Sequence, residues 1–128
     1  MSEIRATTIS DLAGTGPATL TGQYAAKAWV NFNGTGTVAI RASGNVSSIT
    51  DNGTGDYTAN FTTALTDADY VAVASARRLT ASGYLSVATD VNTAGSSLTR
   101  TTAAYQVQMQ NVVGGLNDNP FTQIAIFR

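Results

Sequence analysis

KAWVNFNGTGTVAIRASGNVSSITDNGTGDYTANF, residues 27–61, is the stretch that decides the fold of this 128-residue chain. Apolar and polar residues alternate along it. Positions 27, 29 and 31 would share one face of a strand, and the other face would carry Ala28, Val30 and Phe32. A period of two over this length is typical of a β-strand that buries one face and exposes the other.

The same turn sequence occurs twice in this stretch, as Asn33-Gly34-Thr35-Gly36 and as Asn52-Gly53-Thr54-Gly55. Asparagine and glycine tolerate the positive φ angles that tight hairpin turns require. Neither copy has the further glycine and following helix of a dinucleotide-binding loop, nor the Lys-Ser/Thr ending of a phosphate-binding loop. We therefore interpret both copies as hairpin corners and predict a β-meander over residues 27–61.

Short alternating segments continue to the end of the chain. The predicted strands are 25–33, 36–42, 45–50, 56–63, 69–76, 83–89, 98–110 and 122–127. Segments at this spacing, with turn residues between them, predict an all-β fold, an antiparallel β-sandwich of about 8 short strands, jelly-roll-like or a meander. The last strand should be held in a sheet. We assign residues 24–128 to this domain and residues 1–23 to a short N-terminal arm that attaches to the domain or to a neighbouring chain.

Composition excludes several function classes. Charged residues make up 12% of the chain, about half the usual share of about 25%, which indicates a surface covered in part by other subunits. Net charge is −1 and the basic residues are scattered, so nucleic-acid binding is not expected. No apolar run approaches the ~20 residues of a membrane helix. The chain has no Cys and no His, which removes the usual zinc ligands and catalytic nucleophile–base pairs.

Three groups of acidic and amide residues have the composition of a cation or acid–base site: residues 51–56, the pair Asp67 and Asp69, and the run Asn117-Asp118-Asn119. Oxygen ligands of this kind suit calcium, and paired carboxylates can hydrolyse glycosides. Asp and Asn are also the residues that turns prefer for local hydrogen bonding. We favour the turn interpretation, and predict no metal, no cofactor and no catalytic residue.

Candidate contact residues lie in the loops of the second half of the chain, because loops on a rigid scaffold commonly carry binding. They are Arg77, Arg78, Tyr84, Asn92, Asn117, Asp118 and Asn119. Sugar stacking is one role open to the aromatic residues Trp29, Tyr57, Tyr70, Tyr84 and Tyr105. Their alternative role, closing the core or a subunit interface, is favoured. Arg77 and Arg78 suit either a solvated loop or contact with an acidic glycan.

The run AKAWVNFNGTGTVAIRASGNVSSITDNGTGDYTANF, residues 26–61, closely resembles a module of tailed bacteriophages and prophages. The module occurs in short tail-fibre-like proteins, notably of cyanophages and phages of marine bacteria. The preceding IRATTISDLAGTGPATLTGQ is similar to the lead-in of such proteins, whereas beyond Tyr70 only the pattern remains similar. The segment Arg41-Ala42-Ser43-Gly44-Asn45 departs from the Asp and bulky aromatic usual there. No binding residue is carried over.

The resemblance implies a non-enzymatic virion protein, of tail-fibre or receptor-binding type, that attaches to a host-surface glycan or protein as a homotrimer. A second hypothesis is a purely structural virion component, such as a head decoration, head fibre or tail adaptor, that joins other virion proteins through residues 1–23. A third is a depolymerase, for which the chain lacks the long strand array on which such enzymes build a cleft.

Overall fold

The computed structural model describes residues 24–77, 87–89, 97–111 and 115–128. Within these ranges the strands are β1 (Ala26–Asn33), β2 (Ala39–Gly44), β3 (Val46–Gly53), β4 (Asp56–Phe61), β5 (Val71–Arg77), β6 (Val87–Thr89), β7 (Ala104–Gln110) and β8 (Phe121–Phe127). The described residues contain no helix. The predicted arm, residues 1–23, lies outside the described residues and stays a prediction.

The strands form two four-stranded sheets in which every pair is antiparallel. The order of the first sheet is β2-β1-β8-β5, and the order of the second is β3-β4-β7-β6. Buried side chains from both sheets form one core between them. This arrangement confirms the predicted antiparallel β-sandwich. It also confirms that the last strand is held in a sheet, because β8 lies between β1 and β5.

The core consists of the apolar side chains that alternate along the central strands. Its buried members are Ala28, Val30, Phe32, Val46, Tyr57, Ala59, Phe61, Tyr70, Tyr105, Val107, Met109, Ile124 and Ile126. Phe32 and Tyr57 meet edge to face at 5.1 Å, and Tyr70 contacts both Phe61 and Tyr105 at 6.1 Å. Such edge-to-face contacts link the two sheets and are the preferred geometry for aromatic pairs.

The predicted meander over residues 27–61 is wrong, because the chain changes sheets in the middle of the stretch. β1 pairs with β2 in the first sheet, while β3 pairs with β4 in the second. The change falls at Asn45, which has a φ of 56°. Its side chain donates to the carbonyls of Lys27 and Thr63, both at 3.0 Å, and accepts the Thr63 N–H at 2.8 Å. A single asparagine thus fixes the corner between the two sheets.

Replacing Asn45 should therefore destabilise the sandwich. Asn45→Ala loses the three hydrogen bonds. It also places in the left-handed region a residue that has a Cβ but no polar side chain to bond locally, and the two effects together should cost about 2 kcal/mol. Asn45→Gly loses the same bonds but tolerates the φ, so urea unfolding should place it between Asn45→Ala and the parent protein. If both variants unfold at the parent midpoint, Asn45 does not hold this corner.

Several predicted boundaries shift. The strand expected over 98–110 begins at Ala104, because residues 101–104 form a tight turn. The Thr101 hydroxyl accepts the N–H groups of Ala103 and Ala104 at 3.2 Å and 3.0 Å, and the Thr101 N–H donates to the Ala104 carbonyl. Of the strand predicted over 83–89, residues 87–89 are described and form β6.

Candidate functional site

The outward side of the first sheet exposes three large apolar side chains of regular strands, Trp29, Val71 and Val73. We call it the outer face; its members are Trp29, Asn31, Arg41, Val71, Val73, Ser75, Arg77, Phe121, Gln123 and Ala125. Trp29 is 43% exposed, Val71 is 63% exposed and Val73 is 56% exposed. Strand alternation explains the arrangement, since the intervening residues of β1 and β8 point into the core. Apolar side chains exposed side by side indicate a contact surface.

The first row across the outer face is apolar. Backbone pairing sets Trp29 opposite Ala125, and Ala125 opposite Val73. On its other side the Trp29 indole lies over Gly44, its partner on β2, where a Cβ atom would collide with the ring. Glycine at 44 therefore lets the indole settle against the sheet while much of its surface stays in solvent.

The second row is polar, and one of its groups lacks a partner. Asn31 pairs with Gln123, and Gln123 pairs with Ser75. The Ser75 hydroxyl donates to Gln123 Oε1 at 3.2 Å. Asn31 Oδ1 is buried and accepts no hydrogen bond, which is unusual because buried polar atoms are nearly always bonded. The apolar and polar rows line a shallow groove of about 370 Å³.

The third row is basic. Phe121 at the start of β8 pairs with Arg77 at the end of β5. The Arg77 guanidinium lies 5.5 Å from the Phe121 ring centroid, and that of Arg41 lies 4.4 Å from it. Such cation–π contacts orient both groups. In the described part of the chain neither guanidinium pairs with a carboxylate, so two positive charges converge here unopposed.

The predicted contact residues of the loop before β8 make inward hydrogen bonds. Asp118 Oδ1 accepts the Gly55 N–H and the Tyr57 hydroxyl, each at 2.7 Å. Asn119 is fully buried, and its carbonyl accepts the Gly34 N–H at 2.9 Å. Asn117 donates its backbone N–H to the Met109 carbonyl at 3.0 Å. These bonds join both Asn-Gly-Thr-Gly turns to one loop, and ligand contact by the three residues stays a prediction.

Tyr57 is the buried centre of this end of the sandwich. Its hydroxyl also lies 2.9 Å from the Gly34 carbonyl. Burial, followed by the hydrogen bond to the Asp118 carboxylate and its charge, raises the pKa of Tyr57 far above the usual range of a phenol. The hydroxyl is consequently protonated throughout the neutral range and serves as a hydrogen-bond donor.

The remaining predicted contact residues divide between the outer face and undescribed segments. Arg77 belongs to the basic row with Arg41 and Phe121. Arg78, Tyr84 and Asn92 lie outside the described residues. Among the aromatic candidates for sugar stacking, Tyr57, Tyr70 and Tyr105 are buried in the core and Trp29 is exposed; Tyr84 is not described. The favoured role in closing the core is thus correct for the three tyrosines, and for Trp29 both a subunit interface and sugar stacking stay predictions.

The acidic turn over residues 51–56 is held by hydrogen bonds within the turn and from β7. The Asp56 carboxylate accepts amide N–H groups from Gln106 at 2.8 Å, Gln108 at 2.6 Å and Asn52 at 3.1 Å. Asp51 Oδ1 accepts the Gly53 N–H at 3.0 Å. These contacts agree with the turn interpretation. Within the described residues, no three side chains of the types that ligate metals come together.

Asp67 forms a bidentate ion pair with Arg128, at 2.7 Å and 2.8 Å. These bonds, and the Asp69 N–H at 2.9 Å, lower the pKa of the Asp67 carboxyl. A carboxyl whose pKa is lower in the folded chain stabilises it above the unfolded pKa of about 4, and that contribution disappears as pH falls through the folded value. The melting temperature of Asp67→Asn should therefore fall less steeply below pH 4 than that of the parent. Identical acid profiles would contradict this.

The sequence indicated Trp29 and Arg77 as candidates but no other member of the outer face, and the missed residues include Arg41, Ser75, Phe121 and Gln123. Each is ordinary in its own segment, and they meet only because β2, β1, β8 and β5 lie side by side. Trp29, an aromatic residue on the polar side of an alternating strand, is the one signal that the sequence offers. The other members can be recognised only from the sheet order, which places segments far apart in the chain side by side.

Comparisons with known proteins add no assignment. No family model matches the chain, and no curated protein or solved structure matches it either. In the described part of the chain, no helix has the length and apolar character needed to cross a bilayer. The function must be argued from the outer face and from the resemblance of residues 26–61.

Proposed function

We propose that the chain is a non-enzymatic virion protein of a tailed phage, of tail-fibre or receptor-binding type, that attaches to the host surface as an oligomer. The observation that carries this proposal is the outer face, a broad sheet surface that exposes Trp29, Val71 and Val73. A flat face of this kind suits contact with a large partner better than enclosure of a small substrate.

The chemistry of the acidic residues supports a binding role over a catalytic one. Asp56 and Asp118 accept hydrogen bonds from groups of the chain itself, and Asp67 is held in an ion pair. Catalytic acids generally need a cleft and a pKa moved toward neutrality. The pKa of Asp67 moves the opposite way.

Attachment through repeated copies fits this surface. We propose a homotrimer on the exterior of the virion, most simply in a tail fibre. Each copy would offer a weak site, and linking three copies would raise overall avidity by about 10²–10⁴ without new contacts. A modest contact surface per subunit is then sufficient for firm attachment.

The proposal is tested by light scattering and by cell binding with the full chain. The expected mass is three times that of the 13.2 kDa chain, and labelled protein should bind saturably to some members of a panel of cyanobacterial and marine bacterial cells. A protein that is monomeric and binds no cell type would contradict the proposal. A monomer that binds would contradict the trimer alone.

A second candidate, a purely structural virion component, is favoured by the way the chain enters the domain. Tyr24, which follows residues 1–23, is 89% exposed, so the junction is accessible to another virion protein. Deletion of residues 1–23 should then abolish incorporation into particles while the β domain keeps its circular dichroism spectrum. Normal incorporation of the truncated protein would exclude this role.

A further inference from the structure

We propose that the outer face binds an acidic oligosaccharide, with one sugar ring against Trp29 and an anionic group at Arg41 and Arg77. This inference rests on the proposed attachment function and names its ligand class. Three features carry it: the exposed indole, the unpaired acceptor of Asn31, and the two guanidinium groups that face no carboxylate of the described residues.

The apolar row provides the surface for a sugar ring. The C–H groups on one side of a pyranose form an apolar patch that packs on the electron-rich face of an aromatic ring. Trp29 is 43% exposed and is supported from beneath by Gly44. Ala125 and Val73 continue the apolar surface across β8 and β5. The sugar ring would therefore pack on an apolar surface that exists before the ligand binds.

The polar row provides hydrogen bonds for the sugar hydroxyl groups. Asn31 Oδ1 is an acceptor that the protein itself does not satisfy, and an unsatisfied buried acceptor carries an energetic penalty that a donor relieves. The Asn31 side chain lines the groove, and a turn of its amide would bring Oδ1 to a sugar hydroxyl that supplies that donor. Gln123 and Ser75, already bonded to each other at 3.2 Å, add amide and hydroxyl groups beside it.

The basic row sets the charge of the ligand and its minimum length. Trp29 pairs with Ala125 on β8, and Phe121 lies four residues before Ala125 on the same strand, which corresponds to about 13 Å along a strand. A ligand that reaches from Trp29 to the two guanidinium groups must therefore be longer than a monosaccharide. Arginine favours carboxylates and tetrahedral oxyanions as partners, so the ligand is an acidic di- or oligosaccharide.

Charge argues against a second copy of the chain as the occupant. A subunit covering this face would bury Arg41 and Arg77, and unpaired buried charges are costly. It would also leave Asn31 Oδ1 without a donor unless a polar group were placed against it. A hydroxyl-rich anionic ligand satisfies all three groups at once.

The test measures binding of the full chain to an array of acidic oligosaccharides (hexuronate, sialic acid and sulfated series) and to the methyl esters of the carboxylated ones as neutral counterparts. The acidic oligosaccharides should bind, and esterification of their carboxylates should weaken the binding. Arg41→Gln/Arg77→Gln should weaken binding about 10- to 100-fold and abolish the preference for acid. Trp29→Ala should weaken binding of every oligosaccharide on the array, acidic or neutral, by about 3- to 10-fold.

Matched variants separate this site from general effects. Arg128→Gln also removes a positive charge, but from a guanidinium already paired with Asp67, and should bind like the parent. Asn31→Leu should weaken binding while unfolding no earlier in urea, because Asn31 Oδ1 makes no hydrogen bond in the protein. Circular dichroism checks that every variant is folded.

Each remaining outcome has a distinct meaning. If acids and esters bind equally, or if no glycan binds while cells are still bound, the ligand assignment is overturned and the attachment function stands. If Trp29→Ala turns an oligomer into a monomer, the outer face is a subunit interface and the inference is wrong. If neither glycans nor cells bind, both proposals fail.

Discussion

Gly55→Ala should destabilise the protein by about 3 kcal/mol or more. Gly55 has a φ of +65°, which costs a residue with a Cβ about 1–2 kcal/mol. An added Cβ would also lie 2.6 Å from the Asn117 nitrogen and 2.9 Å from the Met109 carbonyl oxygen. Both are backbone atoms, so relief requires a backbone shift of the kind that overpacking imposes at a further cost of about 1–3 kcal/mol. Such a shift would disturb the bond from Gly55 N–H to Asp118.

Gly36→Ala is the matched control for this variant. Gly36 has nearly the same φ, +63°, but a Cβ added there would meet no atom within 4 Å. The free energy of unfolding of Gly36→Ala should therefore fall only by the conformational cost of about 1–2 kcal/mol. Urea unfolding compares the two directly. Equal losses would mean that the close approach of the Asn117 loop to Gly55 contributes nothing to stability.

Tyr57→Ala should have a similarly large effect, about 3–5 kcal/mol, because Tyr57 is fully buried and its ring packs edge to face on Phe32. Tyr57→Phe keeps the ring and removes the donor to Asp118. Loss of a hydrogen bond to a charged group costs about 1.5–3 kcal/mol. Tyr24→Phe, at a site 89% exposed, should leave the unfolding midpoint unchanged.

A double-mutant cycle that combines Tyr57→Phe with Asp118→Ala isolates the hydrogen bond between the two side chains, because alanine offers no acceptor. Both single variants should be destabilised, and the double variant should lose less than the sum of the two. Strict additivity would show that Tyr57 and Asp118 do not act on each other.

Alkaline unfolding gives an independent measure of Tyr57. Its pKa is raised by burial and by Asp118 in the folded chain, so the folded state keeps a proton that the unfolded state releases above about pH 10. The stabilisation is complete below about pH 10 and declines as pH rises beyond it. Tyr57→Phe should therefore show a shallower fall in melting temperature in this alkaline range than the parent does, and parallel curves would contradict the assignment.

The fold class could be predicted from the sequence because alternation and turn chemistry are local properties. The period of two places Phe32, Tyr57 and Met109 on inward faces, and all three are buried. The change of sheet at Asn45 was not predictable in this way. It depends on side-chain bonds from Asn45 to Lys27 and Thr63, each 18 residues away.

Most of the candidate site could not be predicted from the sequence, because it also depends on contacts between residues far apart in the chain. The sequence predicts Asn117, Asp118 and Asn119 as loop residues that contact a ligand, yet the N–H groups of Gly34 and Gly55 need acceptors and this loop supplies them. Conversely, the outer face joins β2, β1, β8 and β5, and its groove can be located only once the sheet order is known. Local patterns do not determine that order.

Trp29 is the single tryptophan of the chain, so its fluorescence reports on the outer face alone. The most direct measurement is therefore a titration of the full chain with an acidic oligosaccharide that it binds, followed by tryptophan emission. We expect a saturable change in emission with the acidic ligand and a much weaker response to its methyl ester. An unchanged spectrum at concentrations where binding is complete would place the contact elsewhere on the molecule and contradict the role of this face.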